Sequence, residues 1–98
     1  MSEEQVRRDL RELKYYYSHK SSVEEHFKVT GTTGIKNLAH RYEAAIRLAP
    51  VRLYDLFGCL YIQGKNQEDL AIDFGCSAEY IRKLNKELYA FLIKQLKC

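Results

Sequence analysis

Side chains of the types that contact DNA recur at helical spacing between residues 77 and 86 of this 98-residue chain. An arginine can donate two hydrogen bonds to guanine, and a glutamate can accept one from cytosine. Serine and lysine more often contact phosphate. If these residues form the second helix of a helix-turn-helix, that helix is expected to enter the major groove, with Arg82 and Glu79 facing bases and Ser77 and Lys86 facing phosphates. The outward residues of that helix are Ser77, Ala78, Glu79, Arg82, Lys83 and Lys86.

Each of these side chains, taken alone, could also be an ordinary residue on a solvated helix face. Glu79 could act by repelling phosphate, which would reject wrong registers on the duplex. Lys83 and Asn85 lie towards the flanks of the predicted face. Gln67 stands at the start of the preceding helix, where a backbone phosphate is a natural ligand.

The segment from Asn66 to about Lys86 predicts a helix-turn-helix. Asn66 and Ser77 are favourable N-cap residues, so helices should begin directly after each of them. Ala71 is small enough for a close helix crossing, and Gly75 tolerates the positive φ of a sharp turn. The alternative is an ordinary helical hairpin. The apolar side chains expected to wedge the two helices apart are Leu70, Phe74, Cys76, Ile81 and Leu84.

Further helices must support this pair. Ser2 to Gln5 has the pattern of a capping box, which predicts that a first helix begins at residue 3. A short helix capped by Ser22 is expected over residues 25–27, before the loop-like stretch Thr30–Gly34. The apolar stripe of the first helix is Val6, Leu10, Leu13 and Tyr17.

Apolar residues at helical spacing predict another helix from about Thr33 to Leu48. Pro50 cannot continue that helix but suits the first turn of the next one, which should end near Gly64. We therefore expect an all-α fold of four to five helices, with a C-terminal helix-turn-helix and a long recognition helix. The organisation expected is an N-terminal helical arm over residues 1–32 and a domain over 33–98, or one compact domain overall.

The run from Leu48 to about Leu88 resembles region four of bacterial sigma factors. The resemblance implies a four-helix DNA-binding fold of the kind that reads promoter −35 elements. Ala49 stands where that family usually has a second proline, and Cys76 replaces its usual isoleucine or valine. Nothing before Leu48 resembles the sigma regions that melt DNA, so the chain looks more like the small regulators of this type in phages and mobile elements of Gram-positive bacteria. The matching segments are Leu48-Ala49-Pro50, the Phe57 helix, Tyr61-Ile62-Gln63-Gly64, Gln67-Glu68-Asp69-Leu70-Ala71 and Gly75-Cys76-Ser77.

Composition narrows the classes of function. The chain is 46% hydrophobic and 30% charged, which favours a folded protein over a disordered one, and its formal net charge is +3 at pH 7. Three cysteines without a CxxC pair, Cys59, Cys76 and Cys98, predict reduced thiols in a cytoplasmic protein rather than a structural zinc site. Neither a signal core nor a membrane span is expected. We expect no cofactor, no metal and no enzymatic activity, because no catalytic arrangement of side chains is evident.

Double-stranded DNA is the expected partner, and RNA polymerase is a further candidate. Regulators that read two half-sites are often dimers, so a homodimer through the N-terminal or the C-terminal helix is also expected. The alternative function is a protein-binding adaptor or inhibitor, of the phage type, that uses the helix-turn-helix as a scaffold. Tyr15–Tyr17 could line a nucleic-acid surface, but consecutive helical residues diverge, which favours core packing by Tyr17 and Tyr16 instead.

Overall fold

The computed structural model describes residues 2–19 and 34–96. Within those ranges the chain forms α-helices and one π-helical segment, and no β-strand, so the predicted all-α class is confirmed. The expected helix at 25–27, the domain boundary at 32/33 and Cys98 lie outside the described residues, as does most of the Thr30–Gly34 loop. None of the helices described is both long and apolar enough to cross a membrane. The elements are α1 (Glu3–Ser18), α2 (Gly34–Ile46), α3 (Val51–Phe57), the π-helical segment (Gly58–Ile62), α4 (Gln67–Phe74) and α5 (Ala78–Leu96).

The first helix begins where its capping residue predicts. The Ser2 hydroxyl accepts a hydrogen bond from the Gln5 backbone N–H at 3.2 Å, which satisfies one of the free donors of the first turn. The stripe of Val6, Leu10 and Leu13 is buried as expected. Of the three tyrosines that follow, Tyr16 is buried and Tyr17 is half-buried, so both extend the stripe. Tyr15 is exposed and stacks on His19.

Buried polar contacts join α1 to α2. The Asp9 carboxylate accepts hydrogen bonds from the Tyr42 hydroxyl at 2.6 Å and from the Gln5 amide at 2.8 Å. Tyr17 likewise donates to Glu43. Burial, and then the hydrogen bond to Asp9, raises the pKa of Tyr42, so its phenol stays protonated. These directional bonds position α1 against α2 more narrowly than apolar packing alone would.

The middle of the chain differs in detail from the expected helices. The helix predicted from about Thr33 to Leu48 ends at Ile46, and Pro50 is the N-cap of α3 rather than a residue of its first turn. After α3 the chain continues as the π-helical segment, whose turn is wider than that of an α-helix. The Gln63 backbone N–H donates to the carbonyl of Gly58, five residues earlier, at 2.9 Å. The predicted end near Gly64 is confirmed, and this glycine has φ +73°.

Two N-capping hydrogen bonds set where α4 and α5 begin. Asn66 Oδ1 accepts from the Asp69 backbone N–H at 2.7 Å, and Ser77 Oγ accepts from the Tyr80 backbone N–H at 3.2 Å. Between them Gly75 adopts φ +66° and ψ +37°, and the backbone N–H of Cys76 donates to Ala71 at 2.9 Å. This left-handed closure ends α4, and α5 begins three residues after Gly75.

The two helices bury most of the side chains expected to point inward, with one correction. Leu70, Ala71, Ile81, Leu84 and Leu88 belong to the core, which also contains side chains of α1, α2, α3 and the π-helical segment. Phe74 was predicted to point inward, but 39% of it is exposed. It is the last residue of an eight-residue helix, so its ring extends past the edge of the core that covers Leu70 and Ala71.

Candidate nucleic-acid interface

The charged side chains predicted to contact DNA share the outward side of α5. Glu79, Arg82, Lys83 and Lys86 are all exposed, opposite the buried residues of the same helix. Ala78 is half-buried and lies against the core. At 3.6 residues per turn, Glu79 and Lys86 project in nearly the same direction, with Lys83 on one side and Arg82 on the other. Four of the predicted residues thus form one continuous surface.

The cations of this surface carry unneutralised charge. In the described part of the chain the only ion pair joins Lys65 to Asp73, at 2.8 Å. The hydrogen bond to Asp73 also raises the pKa of Lys65. No described carboxylate pairs with Arg82, Lys83 or Lys86, so these three cations face solvent together with the carboxylates of Glu79 and Glu87, which are exposed on the same helix. A surface of this composition attracts a polyanion.

Ser77 and Gln67 lie at the helix starts, as predicted. The Ser77 oxygen already accepts the capping bond, but its O–H remains able to donate to a ligand. Gln67 is half-buried on the first turn of α4 and lies beside Tyr89 and Asn85 in a shallow depression that Lys14 also lines. The structure therefore brings Gln67 to one flank of α5 and not onto its outward side.

Asn85 does not belong to this surface, contrary to the prediction that placed it at the flank. Only 6% of it is exposed. Its Oδ1 accepts from the Tyr61 hydroxyl at 2.8 Å, and its Nδ2 donates to the Tyr89 hydroxyl at 2.8 Å. Burial, followed by the nearby Tyr89 hydroxyl, raises the pKa of Tyr61. The spacing could have indicated this burial, because Asn85 follows Ile81 by four residues and precedes Leu88 by three, and so lies on the same side of the helix as these two core residues.

On the other flank the structure shows a residue that sequence reasoning missed. Arg52 of α3 donates a hydrogen bond from Nη1 to the Tyr80 hydroxyl, and its guanidinium carbon lies 5.9 Å from the centre of the Tyr80 ring. The two residues are 28 positions apart in the chain. No local spacing could have indicated the contact, since it depends on how α3 packs against α5.

A partly apolar groove runs beside this pair. Val51 is 76% exposed and faces the groove together with the half-exposed Phe74. Arg52, Asp55, Cys76, Tyr80 and Leu84 complete its lining. Exposed apolar side chains grouped around a groove are typical of surfaces that contact other molecules.

Comparisons with known proteins identify no relative, so the candidate site is chosen from the geometry of the described residues. No protein-family model, curated protein or solved structure matches this chain. Among the residues that the structure describes, no three histidine, cysteine or acidic side chains are grouped in a way that could hold a metal ion. Among the described residues, the outward side of α5, with the exposed cations Arg82, Lys83 and Lys86, is therefore the best-supported candidate site.

Proposed function

We propose that the protein is a sequence-specific, double-stranded DNA-binding transcription regulator. In this proposal α4 and α5 are the two helices of a helix-turn-helix, and α5 is the recognition helix. The observation that carries the proposal is a group of cations that pair with no described carboxylate, on the outward side of a helix whose inward side is fixed in the core. The resemblance of residues 48–88 to sigma region four supports the same reading and suggests a small phage or mobile-element regulator acting in the cytoplasm.

The dimensions of DNA agree with this arrangement. The major groove is about 12 Å wide and admits one α-helix, which must present polar side chains along an exposed side. The N-terminal half of α5 does so, because Glu79, Arg82, Lys83 and Lys86 are exposed over two turns. Because α4 packs against α5 across the turn at Gly75, the start of α4 would reach the phosphate backbone beside the groove.

The side chains then divide by role. Arg82 reads a guanine, and Glu79 either accepts from a cytosine or rejects wrong registers by repelling phosphate. Lys83, Lys86, Ser77 and Gln67 bind the phosphate backbone and set the register of the helix. RNA polymerase as a second partner, and a homodimer through α1 or the end of α5, belong to the same proposal.

Selection of bound sequences from random duplexes, followed by titration of the selected duplex, tests the proposal. Arg82→Ala should weaken binding to the selected duplex by about 1–3 kcal/mol and relax the sequence preference at one position. Arg8→Ala, which removes an exposed arginine from the outward face of α1, is the matched control and should change neither. If the wild-type protein retards no duplex at low salt, the proposed function is wrong.

A protein-binding adaptor or inhibitor is the second candidate, and the groove beside α3 is the observation that favours it. Its exposed Val51 and Phe74 line one groove and give it an apolar part that a partner protein could contact. Polymerase binding alone is compatible with both candidates, so each variant is titrated with a duplex and with purified RNA polymerase. An adaptor of this kind should lose affinity for polymerase on Val51→Ser and keep it on Arg82→Ala, whereas the DNA-binding function should show the reverse dependence for duplex.

A further inference from the structure

We propose that Arg52, held in place by Tyr80, binds a backbone phosphate of DNA on the flank of α5 opposite to Gln67. This inference rests on the proposed DNA-binding function and adds to it a residue outside the α4–α5 unit. It would also give α3 a direct part in binding, beyond supporting the two helices that follow it.

The positions of the residues around α5 lead to this arrangement. Successive helical residues are about 100° apart, so Tyr80 lies about 100° to one side of Glu79, and Tyr89 lies about 80° to the other. Tyr89 borders the depression that contains Gln67, whereas Tyr80 borders the groove that contains Arg52. Gln67 and Arg52 therefore lie on opposite sides of the outward surface. A helix in the major groove has one phosphate backbone on each side, so each residue would meet a different strand.

The hydrogen bond to Tyr80 positions the guanidinium without neutralising it. The Tyr80 hydroxyl is an uncharged acceptor and occupies one of the five N–H donors of arginine. Asp55 lines the same groove, but Arg52 forms no ion pair with it or with any other described carboxylate. The side chain is thus anchored, fully charged and left with several donors, which is the state in which arginine binds phosphate in two-point fashion.

The salt dependence of duplex binding separates a phosphate contact from a merely structural bond. A contact that displaces one counterion contributes about 0.9 to the slope of log affinity against log salt concentration. Arg52→Ala should therefore reduce the magnitude of that slope by about 0.9 and weaken the selected and a scrambled duplex by the same factor. Arg52→Lys keeps the charge and should keep the slope. Arg8→Ala, which removes the same charge from α1, should leave the slope unchanged.

The role of Tyr80 is tested by Tyr80→Phe, which keeps the ring but removes the acceptor. It should weaken both duplexes by a smaller factor than Arg52→Ala, and the double variant should behave like Arg52→Ala alone. Circular dichroism before each titration establishes that the variant is folded. The inference is overturned if folded Arg52→Ala keeps the wild-type slope, or if Arg8→Ala lowers it equally, while Arg82→Ala still weakens specific binding. Failure of the wild-type protein to bind any duplex would instead overturn the proposed function.

Discussion

Replacing Asn85 by alanine separates the stability of α5 from its binding surface. Asn85 lies on the same helix as Arg82 and Lys86, but its amide is buried between Tyr61 and Tyr89. Asn85→Ala should therefore destabilise the fold while leaving duplex affinity per folded molecule unchanged. Arg82→Ala should do the opposite, since Arg82 is exposed and forms no ion pair with any described carboxylate.

The size of the effect follows from the hydrogen bonds that are lost. Without Asn85, the buried Tyr61 hydroxyl loses its acceptor, and leaving such a group unsatisfied costs about 1–3 kcal/mol. The Tyr89 hydroxyl is close enough to Tyr61 to replace part of that bond, and Tyr89 itself is half-exposed and can use water. We take about 2 kcal/mol, which in a domain of this size lowers the melting temperature by about 8–16 °C.

Urea unfolding followed by circular dichroism measures this change, and duplex titration well below the melting temperature measures binding. Tyr61→Phe is the partner variant: it removes the donor and leaves the amide, so the double variant should cost less than the two single changes together. An Asn85→Ala protein of wild-type stability that has lost affinity for duplex would refute the reasoning. The amide would then face DNA.

Two further predictions concern the tyrosines and the turn. Burial is the main cause that raises the pKa of Tyr17, Tyr42 and Tyr61, so the folded state keeps phenol protons that the unfolded chain releases near pH 10. The free energy of unfolding should hold below about pH 10 and fall above it, and urea midpoints that stay constant through that range would contradict this. Gly75→Ala should cost about 1 kcal/mol or slightly more in chemical denaturation, because alanine disfavours φ +66° even though its Cβ would meet open space. Gly58, whose Cβ would also meet open space, has φ −60°, so Gly58→Ala should cost nothing, and equal losses at both positions would show that backbone conformation is not the cause.

The features that the sequence predicted well are local. Ser2, Asn66 and Ser77 each cap a helix where the pattern placed them, because a capping bond spans only three residues. The positive φ of Gly64 and Gly75 likewise follows from glycine at a helix end. The outward side of α5 also follows from a local property, the spacing of 3.6 residues per helical turn.

The features that escaped prediction depend on contacts between distant segments. The apolar spacing of residues 53–61 fits an α-helix, and nothing in it indicates the wider turn at Gly58–Ile62. Phe74 follows Leu70 at helical spacing, yet the core ends before it. The bond from Arg52 to Tyr80 requires knowing which side of α5 meets α3. In each case the residue type was compatible with two environments, and tertiary packing decided between them.

The polar residues of the core explain how a small helical protein could keep a recognition surface in register. Ile81, Leu84 and Leu88 hold α5 in the core by close packing, but dispersion contacts have no preferred direction. Hydrogen bonds do have one, and Asn85 makes two of them, to Tyr61 and Tyr89. Asn85 directly precedes Lys86 and follows Arg82 by three residues, so fixing its amide fixes the direction in which both cations project. An apolar residue there could match its stability without that directional constraint, which the proposed base recognition would require.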